Sequence, residues 1–318
     1  AGLGVSVYPL AAMAKSVMTI TDKIKHSHAA IRNLCCQKFV PKHGCLGDTD
    51  LKAFRDLISD KTRLVALTGA GISTESGIPD YRSEGVGLYA TSTKRPLQIQ
   101  EFMKFPESRQ SYWARNYVGW PKFSSHKPNV THLKLADWEK SRKLSCVITQ
   151  NVDRLHHKAG SENVIELHGT GFVVVCLSCH DRTSRHEFQK VLADLNPSFN
   201  VKSDIMRPDA DVELLDHQVQ SFVVPQCQKC GGNLIPNIVF FGDSVPSARI
   251  QRAKSEIMQC DALLCLGTSL YVYSGYRFVL EAKEMSKPIY VINIGETRAD
   301  HLLNYKLNAR CGEVFSKL

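Results

Sequence analysis

The sequence contains no apolar run approaching the ~18 residues that a membrane-crossing helix needs, so nothing in its 318 residues reads as a helical span. An even cysteine complement is missing too. Eleven cysteines cannot all pair, and seven are scattered, some inside apolar runs such as DALLCLG around Cys265. A disulfide framework is thereby excluded in favour of reduced thiols and a metal site. There is no internal repeat and no low-complexity tract. Acidic residues are nearly absent from residues 1–46, where Lys15, Lys23, Lys25, Arg32, Lys38 and Lys42 face Asp22 alone. That segment carries +5 of the formal +9, leaving +4 on the other 272 residues. Such a surface is ordinary, and it argues against a nucleic-acid footprint. The basic, acid-poor leader 1–46 fits an organelle transit peptide, a disordered tail being the other reading.

Buried-strand candidates follow the leader. They are RLVALTGAG, SCVITQN (145–151), VIELHG (164–169), NIVFFGD (237–243), DALLCLGTS (261–269) and PIYVINIG (288–295). Helical stretches such as LKAFRDLISD (51–60) and YRFVLEAKEM (276–285) lie between them. Apolar strands alternating with helices predict an α/β fold, a parallel sheet with helices on both faces. Ligands in such sheets bind beyond the carboxyl ends of the strands. Residues 84–140 read as a helical insertion and 170–235 as a second one carrying all the paired cysteines.

Those pairs are Cys176 and Cys179 (CLSC) and Cys227 and Cys230 (CQKC). Thiolates separated by two residues grip one tetrahedral ion, and four of them close the shell, so the pattern predicts structural rather than catalytic zinc. Residues 180–226, 47 in number, separate the knuckles. The loop ALTGAGISTESGIPDYR lacks the third glycine of a dinucleotide fingerprint. Gly69 and Gly71 still supply a strand–G-x-G turn that can offer backbone N–H groups to a phosphate. Ser73 and Thr74 add hydroxyl donors or cap the helix that follows. Pro79 then stiffens a loop bearing Asp80 and Arg82, which reads as a cover for a ligand and not as the start of a dehydrogenase helix.

Other strand ends are equally polar. Gln150, Asn151 and Asp153 follow one strand and His168 another, where a histidine serves as general base. His156 and His157 are adjacent on a helix and read as surface residues. GTS (267–269) and NIG (293–295) close two more strands, suiting a ribose and an adenine or simply capping helices.

The segments GAGISTESGIPDYRS, TQNVDRLHHKAG, ELHG, the two C-x-x-C pairs, NIVFFGD, GTSLYV and NIG together resemble the sirtuin family of NAD-dependent protein deacylases. They stand in the family's order over about residues 50–315. The finer wording (GIPDYRSEGVGLYA, YWARNYVGWPKFSSHKPN, YSGYRF) is similar to its mitochondrial sirtuin-4 branch. The resemblance implies a Rossmann-like NAD-binding domain of residues 47–83, 141–169 and 236–318. A small domain would be inserted into it, with a helical part (84–140) and a zinc-binding part (170–235). It implies NAD consumed as co-substrate, one structural Zn²⁺ and a location in the mitochondrial matrix.

Residue by residue, it gives Gly69, Ala70, Gly71 and Ser73 to the pyrophosphate. Thr268, Ser269 and Asn293 go to the adenosine half, with Cys311 at the adenine edge. Ile78, Asp80, Asn151 and Asp153 go to the nicotinamide pocket, and Arg82 and Gln150 to the ribose; Thr74, Tyr81, Gly267, Ile294 and Gly295 are further NAD-binding residues. His168 would be the catalytic base beside Asn151. An acyl-lysine protein substrate would add a strand between residues 241–246 and 267–273, with no nucleic acid and no membrane as partner. The chain departs from the family's wording at YSG (273–275), where many members carry Pro. Tyr112 and Arg115, at i and i+3, are similar to the Tyr/Arg clamp of its succinyl-removing branch, in an offset register. These departures point from acetyl towards bulkier groups such as lipoyl, biotinyl or methylglutaryl-type lysines. The alternatives are mono-ADP-ribosyl transfer at the same site and, more distantly, a non-catalytic zinc-ribbon module.

Overall fold

The computed structural model describes residues 38–93, 95–203 and 206–318. Most of the predicted leader, residues 1–37, lies outside the described residues. Six parallel strands form the large sheet in the order β3-β2-β1-β7-β8-β9. They are β1 (Leu64–Thr68), β2 (Leu144–Thr149), β3 (Val164–Glu166), β7 (Ala262–Leu266), β8 (Ile289–Ile292) and β9 (Tyr305–Leu307). In β1, β7 and β8 every residue is buried, because helices cover both faces of a parallel sheet. Alternate residues feed two cores. Leu64, Ala66, Val147 and Leu264 meet Phe54 and Phe315 on one face. Val65, Leu67, Ile148 and Cys265 meet Ile257 and Phe278 on the other. Helix Asp48–Ser59 presents Leu51, Phe54 and Ile58 to the first core, and Asp48 and Asp50 in its first turn complement its dipole.

A second sheet of three strands, ordered β5-β4-β6, contains β4 (Gly169–Cys176), β5 (Arg182–Ser184) and β6 (Leu234–Ile238). Its pairings are antiparallel. The run NIVFFGD, expected as a strand of the parallel sheet, is corrected: only Asn237 and Ile238 are strand, the end of β6 in this smaller sheet, and the remaining residues form a loop. An apolar run does not reveal which sheet it joins. Helix Pro106–Ser125, with Pro at its first position, shares one core with the small sheet: Phe102, Trp113, Phe188, Phe222 and Phe240 pack together. Arg185 is fully buried there. Its guanidinium donates to Asn116 Oδ1 at 2.9 and 2.7 Å and lies over the Trp120 ring at 4.7 Å. Burial pulls its pKa down to about 9. Helix Val130–Lys140, read in the sequence with the helical insertion, packs Leu135 into the core of the large sheet.

The two cysteine knuckles meet beside β4. The Cys176 and Cys230 sulfurs are 3.4 Å apart, those of Cys179 and Cys227 3.7 Å, and all four lie within 4.8 Å of one another. A tetrahedron with metal–sulfur bonds of about 2.3 Å has edges near 3.8 Å, so the four thiols fit one structural zinc ion with no position left for water. Gly232 permits the closure, since a β-carbon there would lie 2.9 Å from Cys176 Sγ.

A buried polar knot lies under the large sheet. Thr68 Oγ1 donates to Thr149 Oγ1 at 2.9 Å and lies 3.0 Å from His156 Nε2, and the His132 ring is 4.8 Å from that of His156. The sequence reading of His156 as a surface residue is therefore corrected: it is 1% exposed, because the short helix Leu155–Ala159 turns it towards Thr68. His157 is half-buried beside Glu166, 3.5 Å away. Burial holds the His156 pKa down to about 3 and pushes that of His132 well below the ordinary value.

Two predictions follow from this architecture. Purified protein should carry one zinc per chain by elemental analysis, and Cys227→Ser should lose the metal and lower the thermal midpoint; full metal retention would contradict the four-thiolate assignment. The second concerns pH. Below pH 6.5 the unfolded chain protonates His156 and the folded chain does not, so stability falls as pH drops towards the folded value. His156→Gln should remove on the order of 2 kcal/mol of this pH dependence between pH 7 and 5. Equal slopes in denaturant titrations of the two proteins would refute it.

Candidate functional site

The strand order reverses direction between β1 and β7, and the loops after these two strands meet at the carboxyl edge of the sheet, where a crevice opens in such folds. Gly71 N–H donates to Gly267 O at 2.8 Å, and Gly69 N–H to Leu266 O at 3.1 Å. A β-carbon at Gly69 would lie 2.6 Å from Thr268 Cβ, and one at Gly71 2.8 Å from Gly267 O. Both glycines of the G-x-G are thus required by the approach of two backbones. The segment Ala70–Ser76 continues as a 3-10 helix. Its hydroxyls are engaged internally. Thr74 Oγ1 donates to Gly71 O at 2.9 Å and Ser73 Oγ to Asp153 Oδ2 at 2.7 Å. Neither is a free donor, so what the loop presents to a ligand is chiefly backbone.

The end of β2 locks onto this loop. Asn151 Nδ2 donates to Gly69 O at 3.0 Å and to Ser73 Oγ at 3.2 Å. Gln150 Nε2 donates to Thr268 Oγ1 at 3.0 Å and to Thr68 O at 3.2 Å. His168 follows β3 and precedes β4, so it stands where the large sheet hands over to the small one. Its Nδ1 is 2.9 Å from Gln150 O and its Nε2 2.7 Å from Ser274 Oγ. A carbonyl only accepts, so Nδ1 carries the proton and Nε2 the lone pair. Burial lowers the pKa of this imidazole to about 4, and it is neutral at physiological pH. Asp153 and Asp80 shift the other way, because burial raises their carboxyls despite the bonds from Ser73 and from Ser83.

The Pro-stiffened loop folds back on itself. Asp80 accepts from Ser83 N–H at 2.9 Å and from Ser83 Oγ at 2.5 Å. Arg82 lies over the rings of Tyr271 and Tyr89, at 4.7 and 5.2 Å, and Tyr81 packs on Phe241. At the other end of the crevice Asn293 Nδ2 donates to Ile294 O at 2.9 Å. Cys311 is buried with its Sγ 3.7 Å from Ile292 O. Glu75, which sequence reasoning passed over, accepts from Gly312 N–H at 2.8 Å and so ties the glycine loop to the helix Cys311–Lys317.

All the residues predicted to hold a ligand, from Gly69 to Cys311, line a single cavity of about 1170 Å³ together with His168. Segments 241–245 and 271–273 border it as well. Tyr112 and Arg115 also reach it, but Arg115 Nε already pairs with Asp211 Oδ1 at 2.7 Å. Several lining residues went unnoticed in the sequence. Val40, Pro41 and Lys42 had been assigned to the leader, Asp209 and Asp211 lie in the stretch between the knuckles, and Ser274 stands beside the histidine. Burial and the neighbouring Asp211 raise the Asp209 carboxyl to about 6.

The sequence profile of the Sir2 family matches residues 69–274. The chain is 54% identical over 282 residues to the Drosophila melanogaster NAD-dependent protein deacylase Sirt4, covering 89% of this chain and 90% of that protein. It is 50% identical over 276 residues to the Homo sapiens mitochondrial NAD-dependent protein lipoamidase sirtuin-4, covering 87% and 88%. A solved Sir2–p53 peptide–NAD⁺ structure superposes with a TM-score of 0.67 at 30% identity, covering 84% of this chain and 96% of that one. Profile, relatives and fold agree with the motifs, and the chain belongs to the Sir2 family.

Proposed function

We propose that the protein is an NAD-dependent lysine deacylase that moves the acyl group of a modified lysine onto ADP-ribose, favouring bulky acyl groups of the lipoyl, biotinyl or methylglutaryl type. The observation that carries this reading is His168, held as a neutral base with its proton on Nδ1, lining the cavity that the glycine loop and Asn151 also line. NAD, the co-substrate, supplies an electrophilic ribose C1′ from which nicotinamide departs when the acyl oxygen attacks.

The chain's own residues do the rest. The backbone of Gly69, Ala70 and Gly71 holds the pyrophosphate. Thr268, Ser269 and Asn293 meet the adenosine half, with Cys311 at the adenine. Asn151, Asp153, Ile78 and Asp80 surround the nicotinamide, and the loop carrying Arg82 covers the ribose and excludes water. His168 takes a proton from a ribose hydroxyl after nicotinamide has left. The protein substrate lies as a strand between residues 241–246 and 267–273. Solved Sir2 structures with bound acetylated and propionylated peptides support an acylated peptide as the substrate. Four thiolates would hold one structural zinc, and none of these cysteines lines the cavity. The names of the bovine and human relatives support a mitochondrial location, and we assign the matrix as the compartment.

A panel of acyl-lysine peptides incubated with NAD should give nicotinamide and O-acyl-ADP-ribose, fastest with the bulky acyls. His168→Ala should lower the rate by about 10²–10⁴. If no acyl peptide is consumed while label from NAD accumulates on protein, the mono-ADP-ribosyl transferase reading replaces this one. The glycine loop is tested by Gly71→Ala, whose methyl meets the Gly267 carbonyl. It should reduce kcat/KM for NAD by about one to two orders of magnitude, and a wild-type value would remove the loop from the NAD site.

A further inference from the structure

His168 has a partner on each ring nitrogen. Gln150 O fixes the proton on Nδ1, and the hydroxyl of Ser274 stands 2.7 Å from the unprotonated Nε2 and must therefore donate to it. Ser274 sits in the first turn of the helix Tyr273–Glu284, whose N-cap Val272 makes no side-chain cap. A serine there commonly bonds to nearby backbone, but this one reaches across to the imidazole. Its neighbour Gly275 belongs to the same arrangement. A β-carbon at Gly275 would lie 2.7 Å from Gln150 Oε1, so the bare residue lets the helix start approach the Gln150 side chain where it now lies. The Tyr-Ser-Gly stretch, where the sequence departs from the family's wording, thus falls on the base.

We propose that Ser274 is a positioning residue for His168: its hydroxyl holds the Nε2 lone pair in line with the cleft and occupies the place that a substrate hydroxyl must take. The inference rests on the reading of His168 as the base. In the empty cleft the serine donates to Nε2. When a ribose hydroxyl arrives, that hydroxyl takes over the lone pair and the serine rotates away from it.

The electrostatic consequence has a definite sign. A donor to Nε2 stabilises the neutral ring only, so it lowers the ring's proton affinity. Burial acts in the same direction and is the larger influence; the Gln150 carbonyl opposes it, and Arg249, from the helix Ser247–Gln259, lowers the affinity further. Asp80, Arg82, Asp153, Asp243 and Arg277 line the same cavity. Removing the serine hydroxyl leaves all of these in place and should raise the pH at which His168 protonates.

The test uses the full chain in wild-type, Ser274→Ala and Ser274→Thr forms. Alanine is well tolerated in a helix turn, and threonine keeps the hydroxyl. Two readouts are taken: the ¹⁵N resonance of His168 Nε2 at neutral pH without NAD, assigned by comparison with His168→Gln, and the pH profile of nicotinamide release. Ser274→Ala should move the resonance to that of an unbonded nitrogen and shift the acidic limb upward by about half a pH unit; Ser274→Thr should do neither. An unmoved Nε2 resonance in Ser274→Ala overturns the inference, whatever the activity. A moved resonance in a protein that releases no nicotinamide with any acyl peptide supports the contact and instead overturns the deacylase reading on which its role rests.

Discussion

The site depends first on how closely two loops approach. The backbone after β1 donates from Gly71 to the carbonyl of Gly267 after β7, with no room for a side chain between them. This contact closes the sheet edge where the connectivity changes direction, and the crevice exists because the two chains diverge on either side of it. Gln150 and Asn151 then fasten the end of β2 to the same two loops through Thr268 and Gly69. The orientation of His168 follows, since its proton is held by the carbonyl of Gln150. A chain of short polar contacts thus carries the register of three parallel strands to one imidazole nitrogen.

The material around that chain is rigid for reasons of its own. The buried threonine–histidine knot beneath β1 and β2 offers no charged group to the core at neutral pH. On the small-domain side, Arg185 keeps its charge by sharing it between an amide oxygen and indole faces, without a carboxylate partner. Four thiols gather the β-hairpin region into a single knuckle. None of these features reaches the reacting atoms, and each limits how far the walls of the crevice can shift.

Much of this was legible in the sequence because full burial leaves a plain signature. The runs in β1, β7 and β8 are apolar at every position, and each ends in the small polar cluster that turned out to line the cavity. The legible part ends where pattern and partner separate. Tyr305–Leu307 is a three-residue, half-exposed edge strand with no period to detect. NIVFF is as apolar as a central strand, yet only its first two residues are strand, at the end of β6, whose pairing with β4 composition does not encode. His156 and His157 look equivalent as neighbours, and only the facing Thr68 makes one of them core. Nothing in the sequence pairs Ser73 with Asp153, 80 residues away, whose carboxylate accepts its hydroxyl. Ser274 stood out only as part of the YSG departure, with nothing to tie it to His168, because their contact spans 106 residues.

Glu75 shows how far the glycine loop extends in the molecule. Its carboxylate caps the helix Cys311–Lys317 through a bond that spans 237 residues of chain, and Arg310 approaches the same carboxylate at 3.9 Å. That helix also packs Phe315 into the core of the large sheet. The glycine loop and the cavity edge at Cys311 are therefore two ends of a single strut. Strain placed on either end reaches the other through covalent chain and hydrogen bonds, without crossing the crevice that separates them.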